Sequence, residues 1–288
     1  MKKIKTILPA TDRSHWVGDG FNVRPVFAQL AFTQDISPLL MFDYAAPRAF
    51  EATAQKRGVG PHPHRGFETV TIAFQGEVEH GDSAGNRGVI GPGDVQWMTA
   101  ASGIIHEEFL SGEFLQRGGT LEMVQLWVNL PAKHKMSAPK YQSILNTEIP
   151  VVTLPAEAGR VRVIAGNYAG VQGAASTFSP VELWEIQSLA GKKVVLDVKE
   201  GYNTMLFVRR GKLIVDNKPI GTGDLVLLEN EGTSISLDVT EDCSVLLMGG
   251  EPLAEPIVAS GPFVMNTEQE VRMAMMDYQS GRMGHLNA

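Results

Sequence analysis

This sequence predicts an all-β protein: two barrels in tandem with a short C-terminal helix. Three observations carry that expectation. Short apolar runs rich in β-branched and aromatic residues recur along the chain, among them Thr69-Val70-Thr71-Ile72-Ala73-Phe74, Gln125-Leu126-Trp127-Val128, Arg160-Val161-Arg162-Val163-Ile164 and Asp224-Leu225-Val226-Leu227-Leu228. They are strand-length and bounded by Gly, Pro, Asn and Asp, the pattern of barrels and sandwiches. Second, Ile90-Gly91-Pro92-Gly93-Asp94-Val95 is echoed by Ile220-Gly221-Thr222-Gly223-Asp224-Leu225, each copy following a strand that ends in Gly (Gly76 and Gly211). A repeat this long is a domain and not a solenoid unit. Third, helical periodicity is clear only in the tail.

The basic start Met1-Lys2-Lys3-Ile4-Lys5 has the charge of a leader, but Pro9, Thr11, Asp12 and Arg13 interrupt before any apolar segment develops. No apolar run reaches bilayer-spanning length. A cytoplasmic protein is expected. The first barrel is assigned residues 1–135, with Gly81-Asp82-Ser83-Ala84-Gly85-Asn86-Arg87-Gly88 as an exposed insert. The stretch from Leu130 to about Pro155, punctuated by Pro131, Pro139 and Pro150, reads as the crossing between lobes. Residues 136–288 form the second barrel and the helix. That helix opens on a capping box, Thr267 with Glu270. Val271, Ala274, Met275 and Tyr278 follow at i, i+3, i+4, i+7, and Gly281 stands where the helix stops. Met273 and Met276 add to its methionine content, and packing on the body of the protein is the expected role.

Composition bounds the partners. A net charge of −7 argues against non-specific nucleic-acid binding, which needs clustered cations. A single cysteine excludes an internal disulfide and suits a reducing compartment; Cys243, inside an apolar stretch, is expected to be a buried structural thiol.

The chemistry is concentrated in three of the seven histidines. In Pro61-His62-Pro63-His64, residues two apart on an extended backbone share a face, so both rings reach one point; Pro63 suits a strand edge. His106-Glu107-Glu108 repeats the parity. Two such pairs, expected to face each other inside a barrel, present three nitrogens and one carboxylate. That set suits one divalent first-row metal, with iron, copper, manganese and nickel admissible. Zinc would bind without offering redox chemistry. His15, His80, His134 and His285 stand alone and are read as surface or internally satisfied histidines.

The run Pro61-His62-Pro63-His64-Arg65-Gly66-Phe67-Glu68-Thr69-Val70, then Gly93-Asp94-Val95-Gln96-Trp97-Met98-Thr99-Ala100 with Gly103-Ile104-Ile105-His106, resembles the signature of the pirin family. Gln125-Leu126-Trp127-Val128-Asn129-Leu130-Pro131 and Ala259-Ser260-Gly261-Pro262-Phe263-Val264-Met265-Asn266 extend the likeness over nearly the whole chain. The resemblance implies a bicupin, two jelly-roll cupin barrels in one chain, with His62, His64, His106 and Glu108 as ligands to one metal, Fe(II) before Cu, Mn or Ni. The general cupin pattern would place the carboxylate ligand at Glu68; the pirin pattern gives Glu108 the metal and Glu68 a supporting role. The usual second-motif proline is replaced by Ala101, as in pirins.

The resemblance also implies an activity, quercetin 2,3-dioxygenase, in which a flavonol and O2 react at the metal with loss of carbon monoxide and Glu108 serves as catalytic base. Phe74, Trp97 and Met98 are candidates for the pocket wall. A different class of function is implied by other pirins: a redox-sensing regulatory protein acting through a transcription factor or metabolic enzyme. In the second barrel no histidine occurs between His134 and His285, and positions matched to the ligands fall on Asp197, Lys199, Ser236 and Asp238. That barrel is expected to be metal-free, and a bicupin of this kind to be a monomer.

Overall fold

The computed structural model describes residues 1–28 and 33–286. Strands dominate, and the chain separates into two units built to one plan. The first unit comprises residues 12–29, 39–146 and 254–288. Its seven-stranded antiparallel sheet runs in the order Lys140–Ile144, Val95–Thr99, Phe67–Gln75, Gly119–Asn129, Leu39–Phe50, Phe21–Ala28, His15–Val17. A four-stranded sheet runs Gly58–His64, Ile104–Leu110, Val78–Asp82, Arg87–Ile90. The second unit, residues 1–11, 30–38 and 147–253, again has a seven-stranded sheet, from Ile4–Leu8 at one edge to Val151–Thr153 at the other, and a four-stranded sheet. Each is a double-sheet barrel in which alternate residues point inward.

The repeated hexapeptide is the same turn in both units. The Asp94 carboxylate accepts from Gly91 N at 2.9 Å, and Asp224 accepts from Gly221 N at 2.9 Å. Gly93 and Gly223 take φ of 90° and 87°, the left-handed turn position that glycine fills without steric cost. Each then donates to the neighbouring strand, Gly93 N to Ala73 O at 2.7 Å and Gly223 N to Val208 O at 2.6 Å.

The units are not the contiguous blocks 1–135 and 136–288. The first strand, Ile4–Leu8, pairs with Leu225–Leu228 of the second unit. The tail belongs to the first. Phe263, Ala274 and Met283 pack with Ile105, and Val264 N donates to Arg65 O at 3.0 Å. The terminal helix, Glu268–Gln279, has the full capping box: Glu270 N donates to Thr267 Oγ1 at 3.2 Å, and Thr267 N donates to Glu270 Oε2 at 2.9 Å. Val271 and Ala274 are buried and Met275 packs beside them, whereas Tyr278, Met273 and Met276 turn outward.

In the second unit, Val194, Leu196, Ile235 and Leu237 fill the interior with apolar contacts. Asp197 is exposed and Ser236 and Asp238 are half-buried, so the inward register is one residue away from the positions matched in the sequence. Cys243 is buried in this core, and burial pushes its thiol up to about 11, which makes it an unreactive packing residue. Among the described residues no helix is long and apolar enough to cross a membrane.

Candidate metal centre

The four-stranded sheet of the first unit assembles the histidines. His62 stands opposite His106 in the pairing of Gly58–His64 with Ile104–Leu110, and His64 opposite Ile104. The two motifs therefore lie side by side on adjacent strands, not across the barrel as expected. Between His106 and Glu108 the register slips, so that Glu108 faces Val59. This bulge places an extra residue near Gly60-Pro61, and bulges of this kind re-aim side chains beside functional sites. The ring centroids of His62, His64 and His106 are 4.2 to 4.9 Å apart, and one nitrogen of each lies within 4.8 Å of the others.

The turn that follows His64 is fixed from several sides. Gly66, at φ 90°, leaves no room for a Cβ, which would sit 2.0 Å from Val264 O. Arg65 Nη1 donates to Asp277 Oδ2 of the terminal helix at 2.9 Å in a largely buried ion pair. The buried Lys135 Nζ donates to Gly66 O and Asn129 Oδ1, both at 2.6 Å, and to Val264 O at 2.9 Å. Burial pushes its ammonium down to about 7, yet three acceptors match the three hydrogens that only the charged form carries.

Protonation and tautomer suit a metal. Burial, and then the neighbouring His62, hold His64 well below the ordinary histidine range. Burial, then His64, His62 and His80, do the same to His106. Both are therefore neutral imidazoles, the form that ligates. His62 Nδ1 meets Gly60 O at 2.9 Å, so in the neutral ring Nδ1 carries the proton and Nε2 keeps a lone pair. Among the described residues, buried His64 Nδ1 and His106 Nε2 have no hydrogen-bond partner. Orphaned buried nitrogens are rare, and these two lone pairs are available to a cation.

Glu108 is held by the facing seven-stranded sheet. Gln96 Nε2 donates to its Oε1 at 2.9 Å, Thr71 Oγ1 to the same oxygen at 3.4 Å, and Gln125 Nε2 to Oε2 at 2.9 Å. Gln96, Thr71 and Gln125 are register neighbours on three adjacent strands, a polar row at positions that would otherwise be apolar core. Glu108 shares a cluster of ligand atoms with His106 and His80; the cluster of His62, His64 and His106 does not include it.

Glu68 lies outside both clusters. It accepts from Thr99 Oγ1 at 2.6 Å, and burial pushes it up to about 7.

Of the two alternatives for His80, surface or internally satisfied, the structure has the second, and the ring does not stand alone. It is 1% exposed, stands opposite Glu108 in the pairing of Val78–Asp82 with Ile104–Leu110, and its Nε2 meets Asp82 Oδ2 at 3.0 Å. The signal was present in the sequence: His80-Gly81-Asp82 is a third polar pair with i, i+2 parity. His15 and His285 are exposed and His134 is half-buried.

A cavity of about 410 Å³ opens onto His62, His64 and Glu108. Its remaining wall is mostly apolar, with Phe21, Met41, Met123 and Trp127, and carries one further acid, Asp43, pushed up to about 6 by burial. Trp97 and Met98 are wholly buried core residues and, with Phe74, are not part of this wall. Trp127 takes the place assigned to them, its ring centroid 4.3 Å from that of Phe67 in a tilted contact and 5.3 Å from that of His64 in an edge-on one.

Residues 20–128 match the pirin family and residues 183–284 match the pirin C-terminal cupin domain. The chain belongs to the pirin family. Its pirin relatives include a Pseudomonas aeruginosa protein named "putative quercetin 2,3-dioxygenase", 51% identical over 98% of each chain. A pirin-like protein of Solanum lycopersicum is 36% identical over 93% of this chain and 88% of its own. A crystal structure described as quercetin 2,3-dioxygenase from Acinetobacter baumannii superposes with a TM-score of 0.95 at 48% identity, covering 99% of both chains. The two barrels of this pirin are thus cupin domains, and its His/Glu group is one that could hold a metal.

Proposed function

We propose that the chain is a metal-dependent dioxygenase of the quercetinase type, in which His62, His64, His106 and Glu108 hold one divalent ion. Fe(II) is the first choice, with copper, manganese and nickel suited to the same donors. The observation that carries this reading is the cavity. It presents two histidines and a carboxylate on the wall of a largely apolar space of about 410 Å³, large enough for a three-ring aromatic molecule. The names borne by the Pseudomonas and Acinetobacter relatives support the same substrate class.

The ion, when bound, would supply Lewis acidity toward the substrate's oxygens and a redox-active centre for O2. The protein's own part is to position and to move a proton. Trp127 and Met123 bound the flavonol plane, and apolar walls exclude water from the reacting carbons. Glu108 is aimed by Gln96 and Gln125 and accepts the 3-hydroxyl proton, leaving the more electron-rich enolate to react. O2 is incorporated, the central ring opens to a phenolic ester, and one ring carbon leaves as carbon monoxide.

The test is anaerobic loading with Fe(II), then quercetin and oxygen, following flavonol absorbance and carbon monoxide. Metal-dependent bleaching with carbon monoxide release, lost in Glu108→Gln, is expected. Tight iron binding without turnover would overturn the enzymatic reading in favour of a redox-sensing regulator.

A further inference from the structure

Beyond the four proposed ligands, the first unit contains a hydrogen-bonded chain that ends on one of them. The sheet register places Asp82 opposite His106 and His80 opposite Glu108, all on the inward face. His80 Nε2 meets Asp82 Oδ2 at 3.0 Å, and His80 Nδ1 meets His106 Nδ1 at 3.5 Å, the longest link. Tyr141 stacks on the His80 ring at 4.7 Å with the planes 14° apart, which holds the ring's orientation. Its hydroxyl reaches Gln96 Oε1 at 3.4 Å.

The far end of the chain is anchored in the loop that reads in the sequence as an exposed insert. Asp82 Oδ1 accepts from Ala84 N and Asn86 N, both at 3.0 Å, and from Asn86 Nδ2 at 3.1 Å. Its Oδ2 accepts from Asn86 Nδ2 at 2.9 Å as well as from His80. The loop is itself tied down: Ser83 Oγ donates to Met283 O at 2.7 Å and accepts from Ile105 N at 3.0 Å.

Donor and acceptor roles along this chain run in one direction. A carboxylate can only accept, so in its neutral form His80 carries its proton on Nε2 and presents a lone pair at Nδ1. His106 must then donate from Nδ1, which leaves Nε2 bare. That is the buried atom without a partner, and a proton placed there would be a buried N–H with nothing to bond.

We infer that Asp82 and His80 are positioning residues that fix His106 as the Nδ1–H tautomer and so present its Nε2 to the metal. This rests on the reading of His106 as a ligand, and it adds a dedicated orienting pair to the four ligands. Outer partners of this kind hold ligand rings in place and raise their basicity.

The decisive variant is Asp82→Asn. The backbone donors Ala84 N and Asn86 N cannot turn, so they keep the amide oxygen at the Oδ1 position and leave the amide nitrogen facing His80. His80 then accepts at Nε2 and donates from Nδ1, and His106 is driven to the Nε2–H tautomer that cannot ligate. Long-range 1H–15N correlation spectra of the metal-free protein read both tautomers directly. Fe(II) affinity, titrated anaerobically against a competing chelator, reads the consequence. In Asp82→Asn we expect the His106 tautomer to switch and Fe(II) affinity to fall about 10- to 100-fold.

His80→Gln supplies the rescue: its carbonyl accepts from His106 and its amide donates to Asp82, so the direction is kept. Affinity within about threefold of the parent is expected there, against a loss of at least about tenfold in His80→Leu. A parent protein with His106 protonated at Nε2 overturns the inference. So does an Asp82→Asn protein with tautomer and affinity unchanged, or a His80→Gln protein as weak as His80→Leu. Failure of the parent protein to bind Fe(II) would instead overturn the metal reading, while the spectra would still decide the tautomer.

Discussion

Glu68→Gln separates a supporting carboxylate from a ligand, and the structure sets its size. Glu68 is 1% exposed, accepts from Thr99 Oγ1 at 2.6 Å, and is pushed from an ordinary 4.5 to about 7 by burial. A carboxyl whose folded value is raised binds its proton more tightly in the folded state. It therefore costs no stability well below pH 4.5, costs progressively more as pH rises through the window from 4.5 to about 7, and costs a constant amount above that. Linkage puts the cost at about 1 kcal/mol at pH 5 and about 3 kcal/mol at pH 8. Glutamine keeps an oxygen for Thr99 and carries no charge. The variant's stability relative to the parent should thus be about 2 kcal/mol more favourable at pH 8 than at pH 5. Urea denaturation of metal-free parent and variant at the two pH values measures it, with metal content after Fe(II) loading unchanged. An equal difference at both pH values, or loss of the metal in Glu68→Gln, would refute the reasoning, the latter by making Glu68 a ligand.

Other consequences are checked more directly. His106→Ala should lower bound iron by at least about tenfold, measured by metal analysis after loading and desalting. Glu108→Gln should lose about 10²–10⁴ in turnover even where metal is retained, because an amide does not take up the substrate proton; steady-state kinetics of carbon monoxide release reads this. Lys135→Met strands the Gly66, Asn129 and Val264 oxygens and should cost about 3 kcal/mol by chemical denaturation.

The legible parts of this protein are those that short stretches of chain specify alone. Alternation along a strand puts His62 with His64, and His106 with Glu108, on common faces whatever lies around them. Gly93 and Gly223 mark their turns because few other residues take a positive φ there, and Thr267 with Glu270 closes a helix within one turn. The repeat and the family likeness follow from such local marks.

Tertiary structure decided what depends on pairing between distant segments. No pattern within Pro61-His62-Pro63-His64 says that its neighbour is Ile104–Leu110 or that the register slips before Glu108. Gln96, Thr71 and Gln125 look like polar interruptions of three separate strands until the register sets them in one row beneath a carboxylate. His80 looked solitary because its partners, Asp82 apart, come from other strands. The exchange of termini, with Ile4–Leu8 in one unit and the terminal helix in the other, turns on which sheet edge and which apolar patch each segment covers. Backbone periodicity is a property of a few consecutive residues, whereas register, strand order and edge coverage are settled only when the whole chain buries its surface together.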